Sequence, residues 1–246
     1  MNGKAYFHQL NSQDGAWEFT PAPDKYDDLP QEEASREVAP TSQVWVHRVE
    51  GREIVPEPAF WTLVPPWTES VTNLALASDG SPRLVPPPRT HFNSRKDTLV
   101  KSKGWRKLLE RNRCVLFMDE FLEWSDEEML PPGQKQVGRY GLANGKPMAV
   151  AAIWSPARIP GGEILTCSVV TCEPNELLRA LPHHRMPALL EGEALHRWLD
   201  PTQSHPEELL RPTDSGRMCS RVEWVLNPRA VRADKTAPDI QQSLEL

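Results

Sequence analysis

The chain is poor in cysteine. Its four cysteines, Cys114, Cys167, Cys172 and Cys219, form no CxxC pair and have no accompanying histidine pattern. A structural zinc site takes four such ligands at close spacings, so no metal or cofactor is expected, and the cysteines read as reduced thiols of a cytosolic protein. There is no run of 18 apolar residues, so no segment reads as a membrane-spanning helix. The opening MNGKAYFHQL lacks the basic stretch followed by an apolar one that marks a secretory signal. Internal repeats and low-complexity linkers are also missing. One mixed domain over residues 1–246, richer in strand than in helix, is the simplest account.

The chain also lacks net positive charge. Its balance of −6 argues against a protein that coats nucleic acid indiscriminately. The distribution is uneven, however. Between Arg89 and Arg113 nine cations (Arg89, Arg95, Lys96, Lys101, Lys103, Arg106, Lys107, Arg111, Arg113) meet only Asp97 and Glu110. That local excess is either a solvated face or the footprint of an anionic partner.

Hydrophobic patterning gives the elements. Residues 11–40 are rich in Pro, Asp and Glu and read as a loop or short helix. SQVWVHRVEGREIVPEPAFW alternates about Glu50-Gly51 as a β-hairpin does. SDGSPRLVPPPRT reads as a loop, because three consecutive prolines fit neither a helix nor a central strand. SKGWRKLLE predicts a short amphipathic helix with Ser102 as N-cap. RCVLFMDEFLEW reads as a strand pair or a strand entering a bend, and SDEEMLPPGQKQVGRYGLANGKPM as an exposed loop or hairpin. AVAAIWS, ILTCSVVTC and RVEWVLNPRAV are strands, while EPNELLRAL and ALLEGEALHRWLD supply helices.

Four stretches carry groups suited to chemistry or binding. In FWTLVPPW the aromatics Phe60, Trp61 and Trp67 surround Pro65-Pro66, either as core or as a platform for unpaired bases. In FLEWSDEE, Glu123 faces opposite to Leu122 and Trp124. On a solvent face it is an ordinary carboxylate; in a pocket, desolvation makes it a candidate acid or base. LPHHRMP offers titratable histidines for proton transfer, or a cationic cap at a helix end. In HFNSRKDT, Arg95 is able to clamp a phosphate and Asn93 to orient a substrate oxygen.

In this order the stretches resemble one family, the SRAP proteins (SOS response-associated peptidases, or abasic-site processing proteins). FWTLVPPW matches the family's W-G-x-x-P-x-W, NSR its N-A-R, and RCVLFMDEFLEW its R-C-x-x-P-x-D-G-F-Y-E-W. MAVAAIWS and VVTCEPNELLRALPHHRMPALL match its A-G-L-W strand and its T-x-x-A-N…I-H-x-R-M-P-V-I-L segment, and EVAP echoes N-x-A-P. The resemblance implies an α+β fold with curved, mainly antiparallel sheets, a barrel-like core and a few flanking helices. It implies a partner too: single-stranded DNA, or a single-strand/duplex junction, carrying an abasic site. The family's nucleophile is a cysteine at position 2, whose amine and thiol close a thiazolidine on the sugar aldehyde. By matching motifs, Glu123 takes the role of the family's proton-handling glutamate and His183 that of its acid/base histidine. Asn93 stands near the reacting centre, and Lys4, Trp67, Arg95, Lys96, Arg106 and Arg185 are carried over as DNA contacts.

The departures concern the covalent step. Position 2 is Asn2, whose carboxamide is a poor nucleophile and closes no thiazolidine. Lys4 stands for an arginine, Glu37 for an asparagine, and Glu120 for a glycine, adding an acid near Glu123. Readings left standing are a non-covalent DNA binder, an imine formed through the amine of Met1, a hydrolase built on Glu123 and His183, and a partner-binding protein. The cytoplasm is the expected compartment, at a bacterial nucleoid or in a phage-encoded setting.

Overall fold

The computed structural model describes residues 2–5, 8–13, 16–21, 36–51, 53–78, 80–125, 134–180 and 185–226, those before Val38 by their backbone alone. The strands run β1 (Asn2–Ala5), β2 (His8–Gln13), β3 (Ala16–Pro21), β4 (Arg36–Val38), β5 (Gln43–Glu50), β6 (Glu53–Trp61), β7 (Asn73–Leu76), β8 (Pro82–Val85) and β9 (Asn93–Arg95). Helices α1 (Lys96–Lys101) and α2 (Lys103–Arg111) follow, then β10 (Arg113–Ser125), β11 (Gln134–Leu142), β12 (Met148–Ile159) and β13 (Gly162–Cys172). Last come α3 (Glu176–Arg179), β14 (Met186–Pro187), α4 (Glu193–Leu199) and β15 (Met218–Leu226).

Strands β5, β6, β13, β12 and β10 close into a barrel, because β10 pairs with both β5 and β12. Every pairing around it is antiparallel except β6 with β13, where Thr166 lies opposite Phe60 and Cys167 opposite Trp61. The mixed α+β class and the barrel-like, mainly antiparallel core read from the sequence are therefore present. The predicted β5–β6 hairpin forms, turning through Gly51 at φ +65°, a left-handed conformation that glycine adopts without a Cβ penalty. Residues from Thr166 to Cys172 are all buried, as in a strand covered on both faces. All four cysteines are free, and three of them are buried.

Some local expectations change. RCVLFMDEFLEW is one continuous strand, β10, not a pair. The stretch expected as a loop around Pro82 contains β8, paired with β7; proline is tolerated there because it is the strand's first residue. Within 11–40, strands β2, β3 and β4 replace the expected loop, and 22–35 lie outside the described residues. Ser102 occupies the N-cap of α2 but makes no side-chain cap hydrogen bond. It also closes α1, its N–H donating to the Thr98 carbonyl, so two helices abut at one residue.

Two features position the site. β10 pairs with β12 from Arg113 to Met118 and with β11 from Glu120 to Ser125, so it leaves the barrel halfway along its length. β1 runs along that departure, and β11 passes the sheet on to β15. At the other end of β10, Arg113 is buried and acts as a tie. Its guanidinium donates to the carbonyls of Leu109 (3.0 Å) and Glu110 near the end of α2 and of Trp198 (2.6 Å) and Asp200 at the end of α4. These belong to the carbonyls a helix end leaves without an intrahelical partner. Arg113 thus leaves the cationic run of residues 89–113 and joins the core.

Candidate functional site

Alternation along β10 puts Phe121 and Glu123 on one face and Glu120, Leu122 and Trp124 on the other. β11 extends the first face, with Tyr140 opposite Phe121 and Gly138 opposite Glu123. The Tyr140 ring stacks on Phe121 with centroids 5.2 Å apart and planes at 18°. Glu123 is half-buried, and that desolvation raises its carboxyl above the usual glutamate range. Tyr140 feels that neighbour: burial first, and then the Glu123 charge, push its phenol up to about 12. The backbone of β1 lies alongside, with Asn2 paired to Leu122, Gly3 to Phe121 and Lys4 to Glu120.

The acid anticipated near Glu123 is turned away. Glu120, on the other face, meets Arg221 at 2.9 Å and Arg139 at 3.8 Å, and both arginines also reach Glu223. That second carboxylate therefore does not share the face of Glu123.

A raised acid pKa has a definite linkage sign. The folded state binds the Glu123 proton more tightly than the unfolded state, whose glutamate titrates at about 4.3. The stability contributed by the protonated form is complete below that value and is lost as pH rises through the folded pKa. Glu123→Gln carries no such titration. Its stability relative to the parent therefore climbs between pH 4 and 7, as read from urea midpoints; a difference independent of pH would refute the assignment.

A second cluster gathers Arg95 and Arg185. Both pair with Asp97, Arg95 at 3.4 Å and Arg185 at 3.2 Å, and Arg185 also donates to the Thr171 carbonyl at 2.9 Å. Register explains the meeting, since β9 lies parallel to β13 with Arg95 opposite Thr171, and β14 binds β13 on its other edge. Burial tends to raise the Asp97 carboxyl, but the Arg185 and Arg95 guanidiniums outweigh it and hold it below its usual range. The Arg95 side chain remains 63% exposed. Asn93, at the start of β9, buries its Oδ1 with no hydrogen-bond partner among the described residues. His183 lies outside the described residues, two positions before Arg185.

The aromatics of FWTLVPPW divide between the two roles open to them. Phe60 and Trp61 are core, and Trp61 Nε1 donates to the Phe92 carbonyl at 2.8 Å. Trp67 is 51% exposed and stands edge-on to Trp105 (5.2 Å), which meets His91 in turn (4.9 Å). Its ring lies so close to Gly104 that a Cβ there would come within 3.0 Å of it. The groove beside it encloses about 640 Å³ and is lined by Pro66, Trp67, Lys103, Lys107, Arg111 and Pro156, among others. Spacing of four along α2 sets Lys103, Lys107 and Arg111 on one side of the helix. Lys96 and Arg106, by contrast, are held by backbone, donating to the Leu210 and Val100 carbonyls. A separate cavity of about 680 Å³ lies between residues 142–149 and α4, its wall crossed by the Arg217–Glu191 ion pair.

Tyr140 was not singled out from the sequence. The available signal was the alternation of QVGRYGL opposite DEFLEW, which sets a hydroxyl on the Glu123 face once the hairpin register is known. Among the described residues no group of three or more His, Cys, Asp or Glu side chains is arranged to hold a metal ion, and no helix is long and apolar enough to cross a membrane.

Comparison with known proteins bears on this geometry. The chain is 30% identical over 162 residues to the abasic site processing protein YoqW of Bacillus subtilis, a match covering 64% of each chain. It is 27% identical over 178 residues to the abasic site processing protein HMCES of Gallus gallus, covering 63% of this chain and 49% of that one. The chain thus spans about half to two thirds of the length of these relatives. A crystal structure of a Bacteroides thetaiotaomicron protein shares the fold, with a TM-score of 0.61, 23% identity and 76% of each chain covered. A family model for SOS response associated peptidase (SRAP) matches residues 1–235, and the chain belongs to that family.

Proposed function

We propose that this protein recognises abasic sites in single-stranded DNA during the response to DNA damage and holds the lesion beside Glu123, without covalent capture. The carrying observation is Glu123 itself: a half-buried carboxyl with a raised pKa, set where β10 leaves the barrel and where β1 brings residue 2 alongside. A carboxyl tuned in that direction holds a proton nearer neutral pH than an exposed one does, as a group that gives and takes protons at an opened sugar requires. Relatives named for abasic site processing support the same reading. Asparagine at residue 2 removes the thiol, and with it the ring closure that makes the family's adduct permanent.

The rest of the surface fits a single strand. Trp67 offers an exposed ring for a base, and Lys103, Lys107 and Arg111 line the groove beside it for phosphates. Arg95, on the far side of His91 and Phe92 in the chain, is exposed for a further phosphate. A stacking contact of this kind is worth about 1–3 kcal/mol per base, so Trp67→Ala is expected to weaken binding by that amount. Fluorescence anisotropy with labelled abasic single strands, intact single strands and duplex tests the whole reading. Binding should weaken steeply as salt rises; equal affinity for duplex and single strand at moderate salt would sink the reading.

A further inference from the structure

We propose that Tyr140 is a second substrate-contacting residue, which donates a hydrogen bond to the C1′ oxygen of the opened abasic sugar held at Glu123. The proposal rests on the reading given above. Three observations carry it. First, the hairpin register places Tyr140 diagonally across from Glu123 on the same face of β10 and β11, a separation long side chains can bridge. Second, the ring is fixed, since it is buried and stacked on Phe121 at 5.2 Å, so the hydroxyl has a defined position. Third, that hydroxyl is buried and has no hydrogen-bond partner among the described residues.

A buried phenol without a partner is disfavoured, because its desolvation is not offset. Phenylalanine would fill the same space at no such cost. A hydroxyl kept in that position beside a titrating carboxyl is matched to an oxygen that arrives with the ligand. The phenol remains protonated throughout the physiological range, so it acts as a donor, while Glu123 handles the proton. The ligand atom it fits is an acceptor: the hydroxyl or aldehyde oxygen at C1′, the feature that separates an abasic sugar from an intact nucleotide. Tyr140 would then read the lesion itself, where Trp67 and the cations of α2 read any single strand.

The experiment compares three labelled single strands of one sequence: one with a natural abasic site, one with its tetrahydrofuran analogue, which has no oxygen at C1′, and one intact. The parent should prefer the natural site to the analogue. Tyr140→Phe should lose roughly 3- to 10-fold in affinity for the natural site, the ordinary worth of one hydrogen bond, and leave the other two strands unchanged. Its urea midpoint should be unchanged or higher, since an unpaired hydroxyl has been removed. A loss equal on all three strands, or none, would overturn the role of Tyr140 and leave the broader reading standing. Failure of the parent to bind any of the three would overturn both.

Discussion

Asn2→Cys protein, freed of Met1, forms a heat-stable adduct with single-stranded DNA carrying an abasic site, while the unaltered protein forms none. Residue 2 sits in β1, its backbone paired with Leu122 and so one position from Glu123. An aldehyde captured there by an amine gives an imine, which water reverses. A thiol on the same residue traps the imine in a five-membered ring that resists hydrolysis, as the ring closed by a hydroxyl does not, and a cysteine thiol, with an unperturbed pKa of about 8.5, supplies some thiolate at neutral pH. The carboxamide of asparagine does neither. The change should therefore be from no adduct to conversion of most of the DNA, read on a denaturing gel after heating. Asn2→Ser serves as the control, since it shrinks the side chain without supplying sulfur. If Asn2→Cys binds the DNA yet yields no heat-stable species, the register of β1 does not bring residue 2 to the lesion, and the match to the family's nucleophile fails.

Arg113→Met has the largest expected effect on stability. The guanidinium joins the last turns of α2 and α4 to the first residue of β10 through four backbone carbonyls. Methionine fills much of the volume but returns none of those bonds. Carbonyls left unpaired, two of them in buried bonds, added to the loss of a cation placed at two helix C-termini, make the loss about 3–5 kcal/mol. Arg113→Lys should recover less than half, because an ammonium is a point donor and cannot fork between two helices. Urea unfolding measures both variants, and a loss below about 1 kcal/mol for Arg113→Met would show that water replaces the guanidinium readily.

The two residues illustrate how far sequence and structure each reach. Arg113 and Arg111 are alike in the sequence, members of one basic run. Arg113 opens β10 and is buried, whereas Arg111 closes α2 and lines the groove beside Trp67. Local charge gives the run its sign, but which cations face water depends on elements far apart in the chain, here α4. Trp61 and Trp67 divide in the same way. Both belong to one aromatic stretch, FWTLVPPW, yet the strand β6 carries Trp61 into the barrel while Trp67 falls past its end.

The elements themselves were more legible. Alternation gave the β5–β6 hairpin, because a period of two is imposed by each strand's own pleat, and apolar, β-branched composition gave β12 and β13. Ordered motifs gave the family, and the family gave the barrel. Loops fared worse: β8 was hidden by its prolines, and β2, β3 and β4 by a polar composition, since pairing there is decided by a partner strand that no local pattern names.

By itself, then, the sequence determined the set of residues suited to chemistry, the ordered motifs through which the chain resembles its family, and the asparagine at residue 2. These are properties of residue type and short-range order, which need no third dimension. Tertiary structure alone decided the environment of Glu123. Desolvation depends on everything packed around a carboxyl, and the departure of β10 from the barrel, the stack of Tyr140 on Phe121 and the turning away of Glu120 are products of long-range register.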